Sequence, residues 1–296
     1  MSVEQDRFLQ VVWAVARERG YRCYLSGPDV VTLSGPATFT LVLGDVRRAA
    51  ASCPIEEWAM LVADRIDTHV ITIETDTEYP LDYTDFTVMQ YLVRTRLYGT
   101  TSAGVDGVRR MVATGLVQRV LIDHVHTVTH VTYDMLAHWP VTESELFALA
   151  ERNVRADGGV DITRDAFDIP MAKGLPPIAL LTGPEYLTAH ARWLGDHPVT
   201  GRAGAVLIMP SKEWMYVYPV TGVEVIQSIT VLADLAALHT DDPWPINSSV
   251  YWWRDGALDL AATTHREGHT VVIQPAEAFH RHTATLDDPD AASERG

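Results

Sequence analysis

At 296 residues the chain exceeds a usual single domain, and 47% hydrophobic against 21% charged residues is enough to bury a real core. Its net charge of −16 sets phosphate backbones and acidic lipid headgroups aside as first partners, because like charges repel. The excess either keeps the protein soluble or gives it an acidic face for a basic protein or a cationic ligand. Two cysteines, Cys23 and Cys53, cannot build a disulfide framework and read as small core residues, and no CxxC pair offers thiolates to zinc.

The first residues carry no cationic stretch followed by an apolar one, so no export signal is expected, and no apolar run approaches the ~18 residues of a membrane helix. Both absences point to the cytoplasm. Lys173 and Lys212 are the only lysines.

Ser2 and Gln5 can open a first helix, with Phe8, Val11, Val12, Val15 and Ala16 at helical spacing and Gly20 at its end. Strands are expected at residues 21–25, 30–33 and 38–43, punctuated by Gly-Pro pairs. Pro54 suits the first turn of a helix that buries Trp58, Val62 and Ile66. A further helix is expected over 85–97, and a short helical stretch over 105–114. Residues 117–122 and 125–133 read as strands, and Thr142 with Glu145 forms a capping box for the next helix.

Asp, Gly and Pro crowd residues 156–177, the expected connection between an N-terminal half (1–155) and a C-terminal half (178–286). Beyond it the expectations are a helix over 184–194, strands over 205–209 and 214–220, and a helix over 223–238. Strands over 249–254, 257–262 and 270–274 follow, with Asp255-Gly256 as a hairpin turn. The tail 287–296 is expected to be disordered. Strands grouped with helices, without strict alternation, predict an α+β fold of mixed or antiparallel sheets in two closely associated halves.

Several segments between about residues 86 and 262 resemble, in order, the YtpQ-type family of bacterial proteins of unknown function. They are Tyr91 to Tyr98, with its Arg-Leu-Tyr ending; Val120 to Trp139; the helix ending in Ala150 and Asn153; Gly204 to Glu213, a strand running into Pro-Ser; and Tyr251 to Leu260. The resemblance implies a bacterial α+β protein and carries no activity.

Among candidate sites, His124, His126 and His130 would share one face of a strand, a pattern that presents imidazoles to zinc or iron. The plainer reading is a solvated polar face. His265 and His269 have zinc-like spacing, but Gly268 argues for a turn there, and His280-Arg281-His282 reads as a solvated end. Gly99 to Gly104 could cradle an anion, yet Val105-Asp106 stands where a phosphate loop needs Lys-Ser. Ser211-Lys212 lacks a serine–lysine catalytic spacing; Lys212 could grip an acidic ligand or stay solvated.

Tyr216 and Tyr218, joined by Trp214, share one strand face, while Trp252 and Trp253 must point to opposite faces. An exposed indole beside that stripe would make a binding surface; a sheet covered on both sides would bury both. The leading expectation is a cytoplasmic, non-catalytic binding or interaction protein, adaptor- or immunity-like, using an acidic surface, with no cofactor and a basic protein or small ligand as partner. The alternative is an enzyme with a dispersed site, metal-dependent through His124, His126 and His130. A third is a ligand sensor with a pocket between the two halves.

Overall fold

The computed structural model describes residues 6–27, 29–100, 107–124, 127–165, 177–239, 242–267, 270–284 and 286. The fold is α+β, with three antiparallel sheets and packed helices. Among the described residues no helix is long and apolar enough to cross a membrane.

The chain forms two compact units. The smaller holds residues 1–83 with the short stretches 123–128 and 241–244; the larger holds the rest. The division thus falls near residue 84 instead of at 156–177. Residues 84–122 and 129–155 belong to the larger unit because they supply strands and a helix that pack on its core.

In the smaller unit, α1 (Arg7–Glu18) begins at Asp6, whose carboxylate accepts from the Phe8 and Leu9 amides at 3.0 and 3.1 Å. Ser2 and Gln5 lie outside the described residues. The strands β1 (Arg22–Gly27), β2 (Val30–Ser34) and β3 (Thr38–Val42) form a meander. Leu33 and Leu41 are buried with Val12 and Ala16 of α1, and with Val62 and Ile66 of the long α3 (Trp58–Glu78). A short α2 (Gly44–Ala51), which periodicity misses because it offers only Val46 and Ala50 to the core, precedes α3.

In the larger unit, α4 (Phe86–Leu92) ends five residues earlier than expected and the chain continues as β4 (Val93–Gly99). Val93 to Leu97 alternates β-branched and long side chains, which suits a pleated strand. Asn153 fixes the change of structure by donating its amide to the Gln90 and Val93 carbonyls, each at 2.9 Å. The expected helix over 105–114 is instead a strand, β5 (Arg109–Ala113). β6 (Leu116–His124) pairs with β4, β5 and β7 (Thr127–His130) in a four-stranded sheet. Tyr133, expected in a strand, opens α5 (Tyr133–His138). Helix α6 (Glu143–Asp157) starts at the Thr142–Glu145 capping box, both halves of which are formed.

Inside the stretch expected to be the loosest connection lies a strand, β8 (Asp161–Asp165), paired with β9 (Ile178–Thr182). A 3₁₀ segment (Leu187–Asp196) follows, then β10 (Ala205–Ser211), β11 (Trp214–Pro219) and α7 (Val225–Leu238). The chain closes with β12 (Val250–Arg254), β13 (Ala257–Glu267), β14 (Thr270–Pro275) and α8 (Glu277–Thr283). These strands make a seven-stranded sheet in the order β14-β13-β12-β10-β11-β9-β8. Asp255 and Gly256 turn the β12–β13 hairpin at φ 49° and 81°, the left-handed pair such a two-residue turn requires.

Both faces of this sheet are covered. On one, Ala205, Leu207, Val217 and Tyr251 pack against Leu97, Leu116, Leu187 and Leu194. On the other, Val206, Tyr216, Tyr218 and Trp252 pack against Val225, Ile229 and Leu232 of α7 and Phe279 of α8.

Candidate functional site

The two-sided sheet decides the fate of the aromatic stripe. Trp252, 5% exposed, stacks on His282 at 4.1 Å, lies beneath Arg254 and donates its indole N–H to the Ala203 carbonyl at 3.3 Å. Burial, then Arg254, lowers the His282 pKa. Trp253 turns to the opposite core, packed against Gly195, and donates to the Arg192 carbonyl at 3.5 Å. Tyr216 and Tyr218 are buried beside α7, and burial, then Glu224, pushes the Tyr218 phenol well above its usual range. Trp214, Tyr216 and Tyr218 do share a face, but that face is interior. Of the two readings, an exposed binding surface and a sheet covered on both sides, the second describes these side chains, because layers pack on both faces of the sheet.

The histidines fare differently. His124 ends β6 and His130 ends β7, while His126 lies outside the described residues. The His130 ring sits 3.5 Å from the Arg119 guanidinium and edge-on to Tyr98. Burial of the ring, then the charges of Arg119 and Arg96, holds its pKa down to about 4. Two guanidiniums beside an imidazole oppose the approach of a metal cation. Among the described residues no group of three His, Cys, Asp or Glu is placed to hold a metal ion. His265 lies exposed on β13, 3.2 Å from Glu267, and His269 falls outside the described residues, as do residues 101–106 of the glycine loop. Lys212 is held rather than solvated: its ammonium donates to both Glu185 carboxylate oxygens, at 3.1 and 3.2 Å.

A cavity of about 250 Å³ opens in the larger unit between α7 and the β13–β14 hairpin. At ~30 Å³ per water it has room for roughly eight waters, or one small ring-bearing molecule. It exists because α7 offers alanines there: Ala233, Ala236 and Ala237 follow the three- and four-residue spacing of one helix face. Pro210, Pro245 and Val271 complete an apolar wall. The chain crosses this wall in fixed fashion, since the Ile246 amide donates to the Pro210 carbonyl at 2.9 Å.

The polar lining is His239, Asn247, Ser248, Thr264 and His265. Asn247 donates to the Gly115 carbonyl at 3.2 Å and to the Tyr251 hydroxyl at 2.8 Å, and its oxygen accepts from the Ser249 amide at 3.0 Å. Ser248 and Thr264 exchange hydroxyl-to-carbonyl bonds at 3.1 and 2.6 Å. His239 is 2.9 Å from the Tyr216 hydroxyl and rests against the Trp214 ring. These bonds lock the lining in place. A preformed apolar pocket with a few fixed polar groups is the usual form of a small-molecule site.

Compared with family models, curated proteins and solved structures, the chain matches none of them. The pocket therefore has to be read from its own residues. Of the residues singled out in the sequence, Tyr216 buttresses it through His239 and His265 lines it. The alanines, prolines and Asn247 were missed. The readable signal was three alanines along one face of a helix whose other apolar positions are Val, Ile and Leu.

Proposed function

We propose that the protein is a non-catalytic, cytoplasmic binding protein whose pocket between α7 and β13–β14 holds a small, uncharged, largely apolar molecule. The observation that supports this most is the alanine-lined cavity of about 250 Å³ with its hydrogen-bonded rim. Alanines, prolines and a valine offer the ligand's body an apolar bed, and His239 and Asn247 mark the polar end. Their committed bonds suit recognition by a rigid wall, which lowers the ordering cost of binding.

Indole is a suitable probe, being a flat ring with a single N–H donor. Millimolar indole is expected to raise the unfolding temperature of the whole chain, and Ala237→Phe, which fills the cavity, should abolish that rise while leaving the ligand-free unfolding temperature within a few degrees. An equal rise in the variant would refute the pocket.

A second reading is favoured by the net charge of −16: an adaptor- or immunity-like role in which the acidic exterior meets a basic protein. Binding to such a partner would weaken steeply with salt, whereas indole binding would not.

A further inference from the structure

The hydrogen bonds that hold the cavity between α7 and β13–β14 in shape also limit what it can recognise. Among the described residues, no Lys, Arg, Asp or Glu lines it. A charged molecule would give up its hydration there without meeting an opposite charge, which is far costlier than burying a neutral, hydrogen-bonded group. The occupant is neutral.

The side-chain amide and hydroxyl donors of the lining are already committed. Both amide protons of Asn247 go to protein oxygens, the Gly115 carbonyl and the Tyr251 hydroxyl. The Ser248 hydroxyl donates to the Thr264 carbonyl, and the Thr264 hydroxyl donates to the Ser248 carbonyl. Pro210 and Pro245 have no backbone N–H, and those of Ala233, Ala236 and Ala237 are used inside α7. His265 donates through Nε2 to Glu267, because an ionised carboxylate only accepts. In the neutral ring its other nitrogen is then an acceptor.

Acceptors are left over. A hydroxyl oxygen that has donated its proton keeps its lone pairs, so Ser248 Oγ and Thr264 Oγ1 can still accept. The Asn247 side-chain oxygen accepts one bond, from the Ser249 amide, and has a second lone pair. The cavity also meets the last turn of α7, where the closing carbonyls of a helix concentrate partial negative charge. The unused hydrogen-bonding capacity therefore leans toward a partner that donates.

Resting on the reading of this cavity as a ligand site, we infer that its ligand is a neutral aromatic molecule bearing an N–H donor, a heteroarene N–H or an arylamine. The ring takes the alanine and proline wall, and the N–H takes the oxygens of Asn247, Ser248 and Thr264. An isostere with an ether oxygen in that place would set a lone pair against lone pairs, and the site discriminates against it.

The test compares indole with benzofuran, the same bicycle with oxygen in place of the N–H, by NMR titration of the full chain. Indole should bind about tenfold more tightly, the difference of one hydrogen bond made or lost. Neither should bind Ala237→Phe, although the comparison of the two ligands needs no variant. Benzofuran binding as tightly as indole, with both lost in Ala237→Phe, would overturn the donor assignment and leave the pocket standing. Failure of both to bind the unaltered chain would overturn the pocket, and this inference with it. Benzoate or benzamidine, rings of similar size and opposite charge, binding as tightly as indole would overturn the restriction to neutral ligands.

Discussion

Two sheets of the molecule, one in each compact unit, treat the same kinds of residue in opposite ways. In the three-stranded sheet, Tyr24, Leu25 and Val42 remain 54%, 45% and 57% exposed, because a helical layer packs against one face. In the seven-stranded sheet every residue of β10 is buried, and Tyr218 and Tyr251 are wholly so, because both faces carry a layer. An aromatic residue on a strand therefore says nothing about binding until the number of covered faces is known. Consecutive tryptophans mark the two-sided case, since each needs its own core.

That comparison breaks most visibly at Trp252. Trp252→Ala is expected to cost about 3–5 kcal/mol of unfolding free energy in chemical denaturation, as for other buried large-to-small changes. Tyr24→Ala on the open sheet should stay within about 0.5 kcal/mol. Equal losses at the two positions would mean that the faces are not different.

Next in size is a pH effect confined to the larger unit. His190, 3% exposed, accepts the Trp193 indole N–H at 3.2 Å and lies 3.0 Å from His197, with its Nε2 buried and unpartnered among the described residues. Burial, then His197 and Arg155, lowers its pKa to about 4. The unfolded chain takes up this proton near its ordinary pKa of 6.5 while the folded chain does not. Acidification from there toward 4 therefore favours unfolding, by up to about 3 kcal/mol, and the stability is fully present above 6.5. Denaturation midpoints measured between pH 7 and 5 should fall less steeply in His190→Asn than in the parent chain. An unchanged slope would remove His190 from the account.

The smallest effect sharpens the view of the smaller unit. Asp6→Ala, which strips α1 of its N-cap and Arg47 of a partner at 2.6 Å, should cost about 1–2 kcal/mol. Asp6→Asn should recover most of that, because the amide oxygen still accepts from the Phe8 and Leu9 amides.

Much of the fold was legible in the sequence where periodicity and punctuation agree. The Thr142–Glu145 box, the Asp255-Gly256 turn and the strands around residues 205–220 and 250–262 appear where they were expected. The misreadings share a cause. Val93 and Leu97 continue the helical spacing of Phe86 and Met89, but Asn153, sixty residues from Val93, holds the carbonyls at which the helix stops. Residues 161–165 look like a connection because their partner strand supplies the context that makes them a strand. The candidate site was less legible than the fold. A pocket is made by what is missing, and Ala233, Ala236 and Ala237 read as ordinary core until α7 is laid against β13 and β14.

The central claim is that the alanine-lined cavity is a ligand site, and protein-observed amide NMR with indole tests it most directly. Shifts gathered at Ala233, Ala236, Ala237, Val271 and the Asn247 side-chain amide, and saturating with indole concentration, are the expected result. Shifts scattered over the surface, or none at saturating indole, would contradict it.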